Sequence, residues 1–210
     1  MQNVETATLS SAWRQCWGTL GNDAEGTDLY QRLLSAYTEP HRHYHTLQHL
    51  SECLALFERY RDLAQAPTEV EIALWFHDAV YDVRASDNEA RSAAWAVQEL
   101  GRLNVPADRI ERIESHILAT CHTALPQGQD QVLLVDIDLA ILGAPAERFD
   151  EYEAQVRQEY GWVPGFIFRR KRREILAGLL ARPCIYGTPA LHQEREERAR
   201  ANLARSLQQL

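Results

Sequence analysis

Between Val70 and Val80 the chain reads VEIALWFHDAV, and its apolar residues (Val70, Ile72, Ala73, Leu74, Trp75, Phe76, Ala79, Val80) leave a helix no continuous polar face. A helix that is apolar all round cannot lie on a surface, so other elements must cover it on every side. The rest of the 210-residue chain therefore has to supply a shell for one central helix, and that length is enough for one sizeable core.

The shell also reads as helical. Apolar residues recur at spacings of three and four, while alternating Val/Ile/Thr runs are nearly absent. In PTEVE, Thr68 followed three residues later by Glu71 reads as a capping box. Pro106 opens a helix, and Gly143 and Pro145 separate two more. Asp87 or Asn88 caps the helix beginning NEARSA. The spacing predicts helices over 5–20, 27–38, 46–62, 69–82, 88–101, 107–121, 132–142, 146–160, 166–181 and 190–208. The expected fold is all-α in a single domain spanning 1–210. Its N-terminal helices lie over 5–38, a core carrying the chemistry over 41–143, and C-terminal helices over 146–208.

Composition narrows the function classes. A net charge of −8 argues against a general nucleic-acid binder, which needs a basic surface to displace counterions. A small anionic substrate stays open, because a local pocket can oppose the global sign. No run approaches the ~20 apolar residues that span a bilayer, and the opening MQNVETATLSSAW lacks the apolar core of a signal peptide. Cys16, Cys53, Cys121 and Cys184 are scattered without a CxxC pair, which fits reduced thiols and a cytoplasmic location.

The chemistry-bearing residues collect in three places. His77 and Asp78 sit side by side on the most apolar helix, where a buried aspartate is costly unless paired, hydrogen-bonded or coordinating a metal. Adjacent helical residues project about 100° apart, so the two can flank one ion. HRHYHTLQHL holds four of the eight histidines, with His45 and His49 at i,i+4 on one helix face; His41 and His43 read as loop residues. A metalloprotease motif would need a glutamate directly after His45, and Thr46 stands there.

In VLLVDIDLAIL, Asp136 and Asp138 lie about 200° apart on a helix, so only one can serve the same ion, and periodicity does not separate them. Mixed nitrogen and oxygen donors with room for water suit a divalent ion: Mn, Fe, Co, Zn, Ni or Mg. His116 shares an apolar stripe with Ile110, Ile113 and Ile117 and faces inward, as a partner of the ligands or a substrate contact. Five basic residues in FRRKRREIL wind around a helix; Arg172 is the choice among them for substrate phosphate.

The pattern His49 … His77-Asp78 … Asp138 resembles that of the HD-domain metal-dependent phosphohydrolases, which are all-α. YHTLQH resembles the YHNxxH signature of cyclic-nucleotide phosphodiesterases, which implies His49 as a ligand and His45 as the general acid. HDAVYD is similar to the HDxxED stretch of alarmone hydrolases, whose acidic pair positions the attacking water. Tyr81 replaces one acid here, so that role falls to Asp82, one turn beyond Asp78 on the expected helix. Residues 39–205 resemble a bacterial family of predicted HD phosphohydrolases through RHYHTLQHL, WFHDAVYD, NEARSA, DIDLAILG and IYGTPALHQEREERARANL. In related nucleotide hydrolases the second carboxylate of D-x-D is the ligand, which favours Asp138 over Asp136. The resemblance implies hydrolysis of a small phosphate ester or anhydride, a nucleotide above all. The alternative is a metal-containing nucleotide-sensing module without turnover. The implied partner is a small phosphorylated substrate, with no membrane; the oligomeric state is left open, a homodimer included.

Overall fold

The computed structural model describes residues 2–20, 23–122 and 124–210, with residues 2–7 and 23–25 described by backbone alone. In chain order the helices are α1 Gln2–Gly18, α2 Asp23–Ala36, α3 Leu47–Tyr60, α4 Pro67–Phe76, α5 Asn88–Arg102, α6 Ala107–Ala119, α7 Gly128–Asp138, α8 Ala146–Glu159, α9 Gly165–Leu180 and α10 Pro189–Gln209. Two 3-10 turns, Arg61–Leu63 and Leu139–Gly143, follow α3 and α7, and no strand occurs among the described residues. The all-α expectation holds, and every expected helix has its counterpart. No helix among the described residues is long and apolar enough to cross a membrane. The chain groups into two compact units, residues 1–134 and 135–210.

α4 is the centre of the first unit. It packs against α1, α3, α5 and α6, and Val70, Ile72, Ala73, Leu74, Trp75 and Phe76 expose no surface. Burying each of the large side chains contributes about 1.5–3 kcal/mol, which is why a helix without a polar face is tolerated there. Its two glutamates are paired. Glu69 accepts from Arg109 and Arg112 of α6 at 2.7–3.1 Å, and Glu71 pairs with Arg61.

The start of α4 departs from the capping-box expectation. Pro67 takes the first helical position, which its fixed φ suits, and Ala66 becomes the N-cap without a side-chain bond from Thr68. Asp130 of α7 instead accepts from the backbone N–H groups of Gln65 (2.7 Å) and Ala66 (2.9 Å).

The end of α4 also differs: the helix stops at Phe76 rather than reaching residue 82. Side chains have taken the groups that another turn would use. His77 Nδ1 donates to Leu74 O at 2.7 Å, and the Tyr37 hydroxyl donates to Trp75 O at 3.2 Å. Tyr37 also accepts from Asp78 N at 3.3 Å, and Ala79 N turns back to Phe76 O at 2.9 Å. Burial pushes the Tyr37 phenol up to about 12, so it keeps its proton to donate. The chain then leaves the helix axis at His77 and Asp78.

In the second unit, the 3-10 turn Leu139–Gly143 is gripped by α10 and the segment before it. Tyr186 donates to Leu139 O at 3.1 Å, Arg198 to Gly143 O at 2.6 Å, and Asn202 to Leu142 O and Ala144 O at 2.9 Å each. Gly143 is needed for the approach: a Cβ there would stand 2.7 Å from Arg195 Cβ and 2.9 Å from Arg195 O.

Candidate metal centre

His49 lies in the first turn of α3, which Thr46 caps by accepting from Gln48 N at 3.3 Å. His77 and Asp78 sit where α4 ends. The bond to Leu74 O requires a hydrogen on His77 Nδ1, since a carbonyl only accepts, and the neutral ring then presents a bare Nε2 lone pair. That Nε2 is 3.1 Å from His49 Nε2 and 3.1 Å from Asp78 Oδ2, and His49 Nε2 is 3.4 Å from Asp78 Oδ2. Both imidazoles are buried, at 2 % and 1 % exposure.

Burial opposes the charged form of Asp78. The neighbouring imidazoles of His77, His45 and His49 outweigh it and hold the carboxyl well below the usual carboxylate range. The carboxylate is half-buried beside the two buried rings.

This donor set fits a divalent cation. With metal–donor bonds of ~2.1 Å, separations of 3.1 Å subtend about 95° at the ion and 3.4 Å about 108°. Those angles fall between octahedral and tetrahedral values, and the three donors cap one side of the ion. The His49–His77–Asp78 cluster can thus hold a metal ion, as two nitrogens and one oxygen.

Cys53 stands one turn beyond His49, its sulfur 3.7 Å from Nδ1 and 3.8 Å from Nε2. Near-equal distances place the sulfur off the ring plane, over the two nitrogens, rather than in line with either lone pair. It packs on the ring, although its donor atom lies within 4.8 Å of those of His49 and His77.

Two residues that frame the centre gave no signal in the sequence. One is Tyr37, described above. The other is Arg42, whose side chain is fully buried. It donates to His45 O at 3.1 Å, Asp78 O at 2.6 Å, Ala79 O at 3.1 Å and the Glu39 carboxylate at 3.0 Å. Its guanidinium also lies over the rings of Tyr37 and Tyr81, at 5.2 and 5.4 Å. A lone arginine among loop histidines carries no periodicity from which such a role could be read.

The other expected site residues divide into those brought together and those not. His45 precedes α3 and does not share a helix face with His49 as expected. It still reaches the centre, stacked on Tyr81 at 4.2 Å between ring centroids and edge-on to His49 at 5.9 Å. Outside that stack, His41 Nε2 bonds Tyr81 O at 2.7 Å.

Asp82 is not one turn beyond Asp78, because the helix has ended; it is exposed, and its Oδ1 accepts from Arg84 N at 2.9 Å. His116 is buried, but its charged neighbours are Asp130, Glu69 and Arg112 at the N-terminal end of α4, whereas His77 and Asp78 stand at the other end. Arg172 is committed within the second unit: it pairs with Glu153 and lies over the Tyr152 ring at 5.0 Å, so it is not a phosphate contact waiting to be filled.

Asp136 is buried with both oxygens taken, accepting from Gly187 N at 3.0 Å and Thr188 N at 2.6 Å just before α10. Asp138 closes α7, in the second unit, and is half-buried. No protein-family model, curated protein or solved structure matches this chain.

Proposed function

We propose that His49, His77 and Asp78 hold one divalent cation. On this reading the protein hydrolyses an ester or anhydride of a small phosphorylated molecule, a nucleotide first among them. The observation that carries the reading is the three-donor cap itself: two buried imidazoles and an ionised carboxylate converging within 3.4 Å at the end of the most apolar helix. Buried charge is retained where it has a partner or an ion to hold.

A divalent cation supplies charge stabilisation to a phosphoryl group and lowers the pKa of water. The chain supplies the rest. His77 is held in the tautomer that offers Nε2, by Leu74 O. His45, stacked on Tyr81, is the group that on this reading would protonate a departing oxygen. Asp82 drops out as the residue that orients water, because its carboxylate serves its own loop.

That last observation favours one second reading, a nucleotide sensor that binds without turnover. One experiment separates the two. Protein purified without chelator is assayed for bound metal and then for phosphate release across a nucleotide panel. Metal with release supports the hydrolase; metal and saturable nucleotide binding without release support the sensor. No bound metal, and none taken up on addition, overturns both.

A further inference from the structure

We propose that Arg42 is the positioning residue of this metal centre, the part that sets His49 against His77 and Asp78; the inference rests on the metal-binding reading above. The ligands come from two stretches of backbone far apart in sequence: the approach to α3, which carries His49, and the end of α4, which carries His77 and Asp78. His45, just before α3, and Asp78, just past α4, both lie outside the helices, so helical hydrogen bonds do not fix the placement of these two points. Arg42 does. Nη1 donates at once to His45 O on the first stretch and Asp78 O on the second, and Nη2 donates to Ala79 O.

A guanidinium is planar and its donors form a rigid fork. Backbones bound to one such plane are held at a set distance and angle, which is what ion affinity depends on. Tyr37 and Tyr81, the rings over which it lies, restrict its tilt. A buried cation this close would repel an incoming metal, and Glu39, at 3.0 Å from Nε, supplies the countercharge. Arg172 provides the internal comparison. It is also a buried guanidinium, paired with Glu153 and lying over Tyr152, both of them residues of the second unit.

The test is cobalt titration followed by visible absorption, which reports ion binding and ligand geometry without turnover. Wild-type protein is compared with Arg42→Ala, Arg42→Lys and Arg172→Ala, with helicity checked by circular dichroism. Partners that hold metal ligands in place are worth roughly 10–100-fold in affinity. Arg42→Ala is therefore expected to weaken cobalt binding by about that factor, while Arg172→Ala leaves it unchanged. Lysine keeps the charge and the stem but cannot bridge all the acceptors, so Arg42→Lys should fold, bind with intermediate affinity and show an altered cobalt spectrum.

If Arg42→Ala fails to fold, Arg42→Lys decides the matter. Wild-type affinity and spectrum in Arg42→Lys, or in a folded Arg42→Ala, overturn the inference. An equal loss in Arg172→Ala also overturns it, since the effect would then be general destabilisation. Failure of the wild type to bind cobalt overturns the metal reading itself and is distinguishable from both.

Discussion

Metal binding at this centre would tie the start of α3 to the end of α4, and that linkage should appear as stability. A ligand that binds only the folded protein stabilises it by RT ln(1 + [L]/Kd), about 2.7 kcal/mol at a hundred times Kd. For a chain of 210 residues, each kcal/mol shifts the melting temperature by about 2–4 °C, so saturating metal should raise it by about 5–11 °C over protein in EDTA. The assay is differential scanning calorimetry across Mn²⁺, Co²⁺, Zn²⁺ and Mg²⁺. The eight histidines offer other places for an ion to bind, so variants locate the effect. His49→Ala, His77→Ala and Asp78→Ala should each lose the shift, because each removes one corner of the 3.1–3.4 Å triangle. His192→Ala, at an exposed position in α10, should keep it. An equal metal-induced rise in the wild type and His77→Ala would refute the assignment of the site.

Other expectations follow from the same contacts. Asp136→Asn should loosen the segment before α10, read as faster amide exchange at Gly187 and Thr188, and unchanged exchange there would show that this carboxylate does not hold the segment. Burial raises the pKa of Glu69, but the bonds from Arg112 and Arg109 prevail and lower it. A depressed carboxyl contributes stability above its ordinary value near 4.5 and loses it as the pH falls through the folded value. Urea unfolding should therefore show Glu69→Gln less stable than wild type at pH 7, with the gap narrowing below pH 4.5; a gap constant down to pH 3 would contradict this. Gly143→Ala forces a Cβ to 2.7 Å from that of Arg195 and should cost about 1–3 kcal/mol in the same measurement. No loss would show that α10 gives way there.

The central helix and its His-Asp pair were legible because they depend on local pattern alone. Eight apolar positions in eleven demand burial whatever surrounds them, and the two acids among them, Glu71 and Asp78, each demand a reason. The limits of α4 were not legible. Ala79 and Val80 continue the apolar pattern, so nothing local announces that Tyr37 and Arg42 will claim the backbone groups there. Thr68 had the chemistry of a cap, and Pro67 beside it moved the helix start two residues earlier, from 69 to 67. The basic run in α9 could be expected to offer one or two residues to any pocket. That Glu153 of α8 claims Arg172 depends on how α8 and α9 face each other.

By itself, then, the sequence determined the helical class, the buried helix at its centre and the residue types able to hold a cation, because periodicity and the cost of burying charge act over a few neighbouring residues. Tertiary structure alone decided which carboxylate is already spent, where the central helix stops and how His45 reaches the centre without sharing a helix with His49. Each of those outcomes turns on a hydrogen bond or ring contact between residues about 35–50 positions apart, or on a helix end set by such a bond. The partner in each is chosen by the folded geometry and leaves no mark on the local pattern.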